Sequence, residues 1–228
     1  MTKEKIYRGF FYAAGLLILA LGITLNTKTG LGVSPIISVA FCVSDIWNLN
    51  FGNITLALYT LFIVVEMLLH VSHHTGSLKA LLLKDILQLP LSLVFTRFLN
   101  IFGALIPDLQ TAYAGSFAGS FAGRLFFLII AIILTGIGAA MSLNMRIIPN
   151  PGDGIVQALS DCFGKSVGFT KNCFDLLCIS VTIILGLALS GHLVGIGVGT
   201  VLAVIGVGRS IAVFNHFTFD KMNALAGI

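Results

Sequence analysis

The sequence predicts an all-α integral membrane protein. It consists of two inverted repeats, each with three transmembrane helices and one short re-entrant or broken helix. Three observations predict this. Hydrophobic residues make up 57% of the 228 positions and charged residues only 10%, with a mean hydropathy of +1.03. A soluble domain is about a quarter charged, so these few charges cannot cover a water-facing surface. Six stretches reach the roughly 20 mainly apolar residues that cross the hydrocarbon layer. Finally, the order long, short, long, long occurs twice. A shift of 116 positions places Pro35 on Pro151, Ser44 on Ser160, Asp45 on Asp161 and Gly52 on Gly168 without a gap.

The first span, 8–26, follows a short basic start that includes Lys3, Lys5 and Arg8. No small-residue cleavage site closes it, so it reads as a membrane helix and not as a signal peptide. Segment 34–47 is apolar but too short to span, as expected of a re-entrant or interfacial helix. It opens on Ser34-Pro35, and proline suits a first helical turn because its missing N–H would be unpaired there. Spans 52–72 and 79–104 follow. The second carries Gln88 and Pro90, and Pro90 is expected to kink it and free carbonyls that line a path. The loop 105–120 contains Asp108 and neither Lys nor Arg.

The second repeat begins with span 121–142. The short segment 151–163 opens on Asn150-Pro151-Gly152-Asp153, a helix start by the same signals. Spans 168–190 and 193–217 complete the chain. The last is expected to contain Gly195, Gly197, Gly199, Gly206 and Gly208 as close-packing positions between helices. The whole is one transmembrane domain, 1–228, with repeat one at about 8–104 and repeat two at about 121–217. Each repeat has an odd number of spans, so the second copy is inverted, an arrangement found in secondary transporters with a midplane site.

Lys and Arg are retained on the cytoplasmic side. With six spans, the inside collects Lys3, Lys5, Arg8, Lys79, Lys84, Arg146, Lys165, Lys171 and Lys221, while Lys28 and Arg124 stay outside. Eight spans fit the charges worse. Both termini are therefore expected in the cytoplasm. The net charge of +4 is scattered and forms no basic stripe, which argues against nucleic acid. The four cysteines form no CxxC pair and no Cys/His metal spacing, so they read as small apolar residues. Neither a metal nor a cofactor is expected. His70, His73 and His74 read as a solvated inner loop.

The candidate substrate-binding residues fall in two groups. Gly32, Ser34 and Pro35, with Asn150, Gly152, Asp153 and Gly154, mark the starts of the two short helices. Helix N-termini expose unpaired N–H groups and a partial positive charge, and glycine lets backbone approach a ligand closely. The alternative is two helices lying flat at the interface. The second group is Arg97, Asp175 and Arg209, because ionisable side chains inside spans are functional candidates. Asp175 and Arg209 are expected to pair, as are Glu66 and Lys84. Asp85 reads as a half-solvated interface charge. Arg97 has no partner in sequence, which suits either a carboxylate or phosphate, or snorkelling to lipid head groups.

Thr29-Gly30-Leu31-Gly32-Val33-Ser34-Pro35, Asn150-Pro151-Gly152-Asp153-Gly154 and Val194-Gly195-Ile196-Gly197-Val198-Gly199-Thr200-Val201 together resemble the signatures of the YczE/YitT-like bacterial integral membrane proteins. One departure is Ile37, where an acidic residue often stands. The resemblance implies a multi-pass protein of a prokaryotic inner membrane and implies little about function. No Ser/His/Asp elbow or HExxH motif is present, so an enzyme is not expected. The leading expectation is a small secondary transporter or carrier for a small anionic or zwitterionic solute. The alternatives are a substrate-binding subunit of a multi-component transporter and a non-transporting assembly factor. The expected partners are the lipid bilayer and a small-molecule solute, with a homo-oligomer or an energising subunit left open.

Overall fold

The computed structural model describes residues 3–73 and 77–228. In chain order the helices are α1 (Lys3–Lys28), α2 (Pro35–Ile46), α3 (Phe51–His73), α4 (Leu78–Leu105), α5 (Leu109–Ala112), α6 (Phe121–Asn144), α7 (Pro151–Phe163), α8 (Val167–Ser190) and α9 (Val198–Ala226). Among the described residues, α1, α3, α4, α6, α8 and α9 are long and apolar enough to cross a membrane. The chain is a multi-pass membrane protein. Their outer faces keep large apolar side chains exposed, such as Leu61, Leu68, Leu176 and Val213, as a lipid solvent permits.

Helix boundaries recur at the spacing read from sequence. α1 ends at Lys28 and α6 at Asn144, and α3 starts at Phe51 and α8 at Val167. Both pairs lie 116 positions apart. Each short helix is closed in the same way. Asn48 and Gly164, again 116 apart, take positive φ values of 50° and 61°, and the N–H groups of Leu49 and Lys165 donate to the carbonyls of Ser44 and Ser160. Asparagine tolerates the left-handed region better than most residues, and glycine takes it without strain.

The chain divides into two compact units. The first comprises Met1–Ser34, Phe98–Ile147 and Gly195–Ile228. Here α1, α6 and α9 pack together. The α1–α6 seam depends on missing side chains. A Cβ on Gly15 would lie 2.7 Å from the Ser142 nitrogen, and one on Gly22 would lie 2.5 Å from the Thr135 nitrogen. Backbones this close gain dispersion contact where lipid supplies no hydrophobic drive. Arg8 donates to the carbonyls of Met145 and Arg146, which ties the start of α1 to the end of α6. At the opposite end of that pair Arg124 donates to Thr29 O and Gln110 Oε1.

Gly195, Gly197 and Gly199 were expected inside the last span. Gly195, with φ 73°, instead lies before α9, whose N-cap is Gly197. Hydropathy scores this Gly/Val run as apolar, but Gly195 turns the chain. The segment docks on the loop after α1. The Val33 N–H donates to Gly195 O, and the Gly199 N–H donates to Leu31 O.

The second unit comprises Pro35–Arg97 and Ile148–Val194. Each short helix packs against both neighbouring long helices, α2 on α8 and α3, and α7 on α3 and α8. The start of α2 meets α8 part-way along its length. Ser38 and Thr182 hydroxyls are 2.6 Å apart, and Thr182 is fully buried. The start of α7 meets α3 at Glu66. Positions 38 and 154, and positions 66 and 182, are each 116 apart, so the two crossings occupy the same repeat positions. α4 continues through Pro90.

Candidate functional site

The interior of the second unit sets polar side chains such as Gln88, Asp175 and Thr182 among apolar ones such as Ile37, Ile63 and Phe95. Asn150 caps α7, its side chain accepting from the Gly152 N–H. Proline at the first turn and an Asx-type cap fix this start locally. The cap places Asp153 in the first turn of α7. Tyr59 on α3 is 2% exposed and presents its hydroxyl to Asn150, with Asp153 nearby. Asp153 also feels Lys171 and Asp175 on α8. Burial pushes the Asp153 carboxyl above its ordinary range; Lys171 opposes the rise and Asp175 adds to it. Asp175 is buried and accepts two bonds from Lys171 Nζ, at 3.1 and 3.2 Å, one turn earlier on the same helix.

A second group lies further along α3. Gln88 Nε2 donates to Glu66 Oε1 at 3.0 Å, and His70 Nδ1 lies 2.8 Å from Asp85 Oδ2. Glu66, Asp85 and Gln88 are buried. Gly154 of α7 makes this packing possible, because a Cβ there would sit 2.6 Å from Glu66 Oε2 and 3.1 Å from Gln88 Nε2.

Of the residues predicted from sequence, Asn150, Asp153, Gly154 and Asp175 come together in this unit. Gly152 stands beside them against Ile36, and buried Pro35 starts α2. The other four are placed differently. Gly32 has φ 111°, and what its missing side chain admits is the chain's own Gly197 and Thr200. Ser34 ends the connection into α2. Arg97 is exposed and donates to Asn53 Oδ1 at 2.7 Å, so it is not an unpaired guanidinium. Arg209 is exposed on α9, lining an apolar groove of 420 Å³ with Ile133, Ile137 and Val213.

Two expected ion pairs are replaced. Asp175 pairs with Lys171, the nearer cation by one helical turn, and not with Arg209. Glu66 bonds to Gln88, while Lys84 is exposed. Asp85 is 1% exposed, not half-solvated. His70 belongs to α3 and meets Asp85, so it is no loop residue. His73 is exposed at the helix end, and His74 lies outside the described residues. Sequence reasoning left Tyr59, Lys171, Glu66, His70, Asp85 and Gln88 out of the site. The helical intervals Glu66–His70 and Asp85–Gln88 were the available signal, since residues three or four apart share a face.

Residues 6–216 match the family of unknown function DUF6198, and the chain belongs to it. The chain is 23% identical over 178 residues to the uncharacterised membrane protein YczE of Bacillus subtilis, covering 77% of this chain and 74% of that one. It is 24% identical over 204 residues to the uncharacterised protein YyaS of the same organism, covering 90% of each. No solved structure matches it.

Proposed function

We propose that this member of the DUF6198 family is a small secondary transporter or carrier for a small zwitterionic solute, and that the solute binds in the interior of the second unit. The observation that carries this reading is the group Tyr59, Asn150, Asp153, Lys171 and Asp175, gathered around the start of a helix that is too short to span. Irregular backbone and ionisable groups at membrane depth are tolerated where protein or a water-filled cavity covers them.

The charges narrow the solute class. The first turn of α7 already carries the Asp153 carboxylate and the Asn150 cap, so its N–H groups and partial positive charge are engaged from within. A free anion finds little there. A solute ammonium group suits Asp153, and a solute carboxylate suits Lys171, which now serves Asp175.

The paired crossings of α2 on α8 and α7 on α3 support an inverted repeat. In that reading the two short helices are re-entrant from opposite faces, and the site lies where helices of both repeats meet. The Lys and Arg distribution supports cytoplasmic termini in a prokaryotic inner membrane.

The test is uptake by proteoliposomes of a panel of zwitterionic, cationic and anionic solutes. Saturable uptake of a zwitterion, reduced at least about tenfold in Asp153→Asn and Asp175→Asn but unchanged in Arg97→Ala, is expected. Tenfold corresponds to losing about 1.4 kcal/mol of solute interaction. The absence of saturable uptake for every solute, or uptake indifferent to both aspartate substitutions, overturns the proposal.

A further inference from the structure

The Glu66–His70–Asp85 group has its own chemistry, independent of the transport reading. One ligand atom from each of the three residues lies within 4.8 Å of the other two. Glu66 and Asp85 are 3% and 1% exposed, and their carboxylates act on each other. Like charges buried side by side are costly unless a positive charge joins them. Among the described residues neither carboxylate is paired with a lysine or arginine; Asp85 meets the imidazole of His70 and the carboxyl of Glu66.

The unsatisfied atoms point the same way. Glu66 Oε2 and Gln88 Oε1 are both fully buried without a hydrogen-bond partner. An unsatisfied buried acceptor costs about 1–3 kcal/mol. Both orphans are acceptors, so the group lacks a donor or a cation and not another oxygen. Glu66 Oε2 packs against Gly154, where a Cβ would lie only 2.6 Å away. Two carboxylates and a neutral imidazole carry a formal charge of −2, which a dication balances. An imidazole beside oxygen donors suits zinc, manganese, iron or cobalt and does not suit magnesium or calcium. With bonds of about 2.1 Å, neighbouring ligands on one tetrahedral or octahedral ion lie roughly 3.0–3.4 Å apart, so ligand atoms spread over as much as 4.8 Å close by rotation of their side chains on binding.

We propose that Glu66, His70 and Asp85 bind one divalent transition-metal cation, with the free Oε1 of Gln88 as a further oxygen donor. Binding through His70 Nδ1 displaces the proton that joins it to Asp85 Oδ2 onto Nε2, so the imidazole stays neutral and the two carboxylates balance the dication. The Gln88 amide N–H holds Glu66 Oε1 and turns Oε2 toward the ion.

The test is calorimetric titration of the full chain in detergent, stripped with a chelator, with Zn²⁺ and then Co²⁺. One equivalent per chain is expected, with excess Mg²⁺ unable to displace it. Glu66→Gln and His70→Ala should each weaken binding at least about tenfold, by analogy with the effect of removing even an outer-sphere group. His73→Ala, at an exposed position on the same helix, should leave it unchanged. X-ray absorption of the Co²⁺-loaded wild-type chain keeps the test decisive if the variants do not fold. One imidazole among oxygen donors supports the site; thiolate or several imidazoles overturns it. No stoichiometric binding also overturns it, in favour of a proton shared between the carboxylates. Because the measurement is binding, its failure leaves the uptake result untouched, and the reverse holds.

Discussion

Gly22 has no room for a methyl group. Its ideal Cβ position lies 2.5 Å from the Thr135 nitrogen and 2.6 Å from Thr135 Oγ1, and backbone atoms cannot step aside as a side-chain tip can. Gly22→Ala should therefore destabilise the chain by about 1–3 kcal/mol, the usual cost of overpacking. Gly9→Ala on the same helix meets nothing within 4 Å and should be neutral or stabilising. Thermal unfolding in detergent separates the two. Asp153 makes the opposite prediction. Its carboxyl is held above the ordinary range by burial, so its contribution is favourable at low pH and is lost as pH rises through the raised value. Asp153→Asn should then melt higher than the wild type at pH 8, with the difference shrinking as pH falls, while uptake is lost. A constant difference across pH would count against an ionising carboxyl at this position. Asp153 and Gly154 were legible because a helix start is written locally, in Asn150-Pro151-Gly152-Asp153. The Asn53 partner of Arg97 was not, because 44 residues separate donor and acceptor. The four-residue group on α3 and α4 likewise needs two helix faces to meet, and neither face announces the other.

At the scale of elements, the short helices carry the architecture. Both start beside a polar residue part-way along a long helix of the other repeat, Ser38 by Thr182 and Gly154 by Glu66. Both end in a left-handed residue, Asn48 and Gly164. The pairing of α2 with α8 and of α7 with α3 is what an inverted duplication produces. Its direct consequence is topological. In a chain freed of its native cysteines, Trp47→Cys and Lys165→Cys, both at exposed positions just past the short helices, should react with an impermeant thiol reagent from opposite faces of the membrane. Labelling from one face would remove the inverted repeat. Native Cys42 is a poor reporter because it is fully buried. The two short helices were readable from Pro35 and Pro151 and from the lengths of the apolar runs. The start of α9 was not. The run Gly195–Gly199 is as apolar as a helix, and only the positive φ of Gly195 and the docking on Leu31 and Val33 distinguish it.

For the whole molecule the question is which ends share a face. In the first unit Arg8 near the start of α1 reaches the carbonyls that close α6. A Cβ on Gly227, past the end of α9, would lie 3.1 Å from the Glu4 carboxyl carbon. The start of α1 and the end of α9 are therefore neighbours, as an even number of spans requires. Lys3, Lys5, Arg8 and Arg146 gather at that end, with Lys221 on the last turns of α9. The other end of α1 and α6 has Arg124, which is bound to Thr29 O and Gln110 Oε1, and the Asp108 cap of α5. Cationic side chains resist translocation, so the lysine-rich end should stay in the cytoplasm. A fluorescent protein fused to either terminus should then fold and fluoresce, and alkaline phosphatase fused after Ile228 should be inactive. Phosphatase inserted at Gly115, in the exposed turn between α5 and α6, should be active. Active phosphatase at the C-terminus would reverse the orientation. Opposite results at the two termini would break the six-span count itself, and with it the reason for reading the second repeat as inverted.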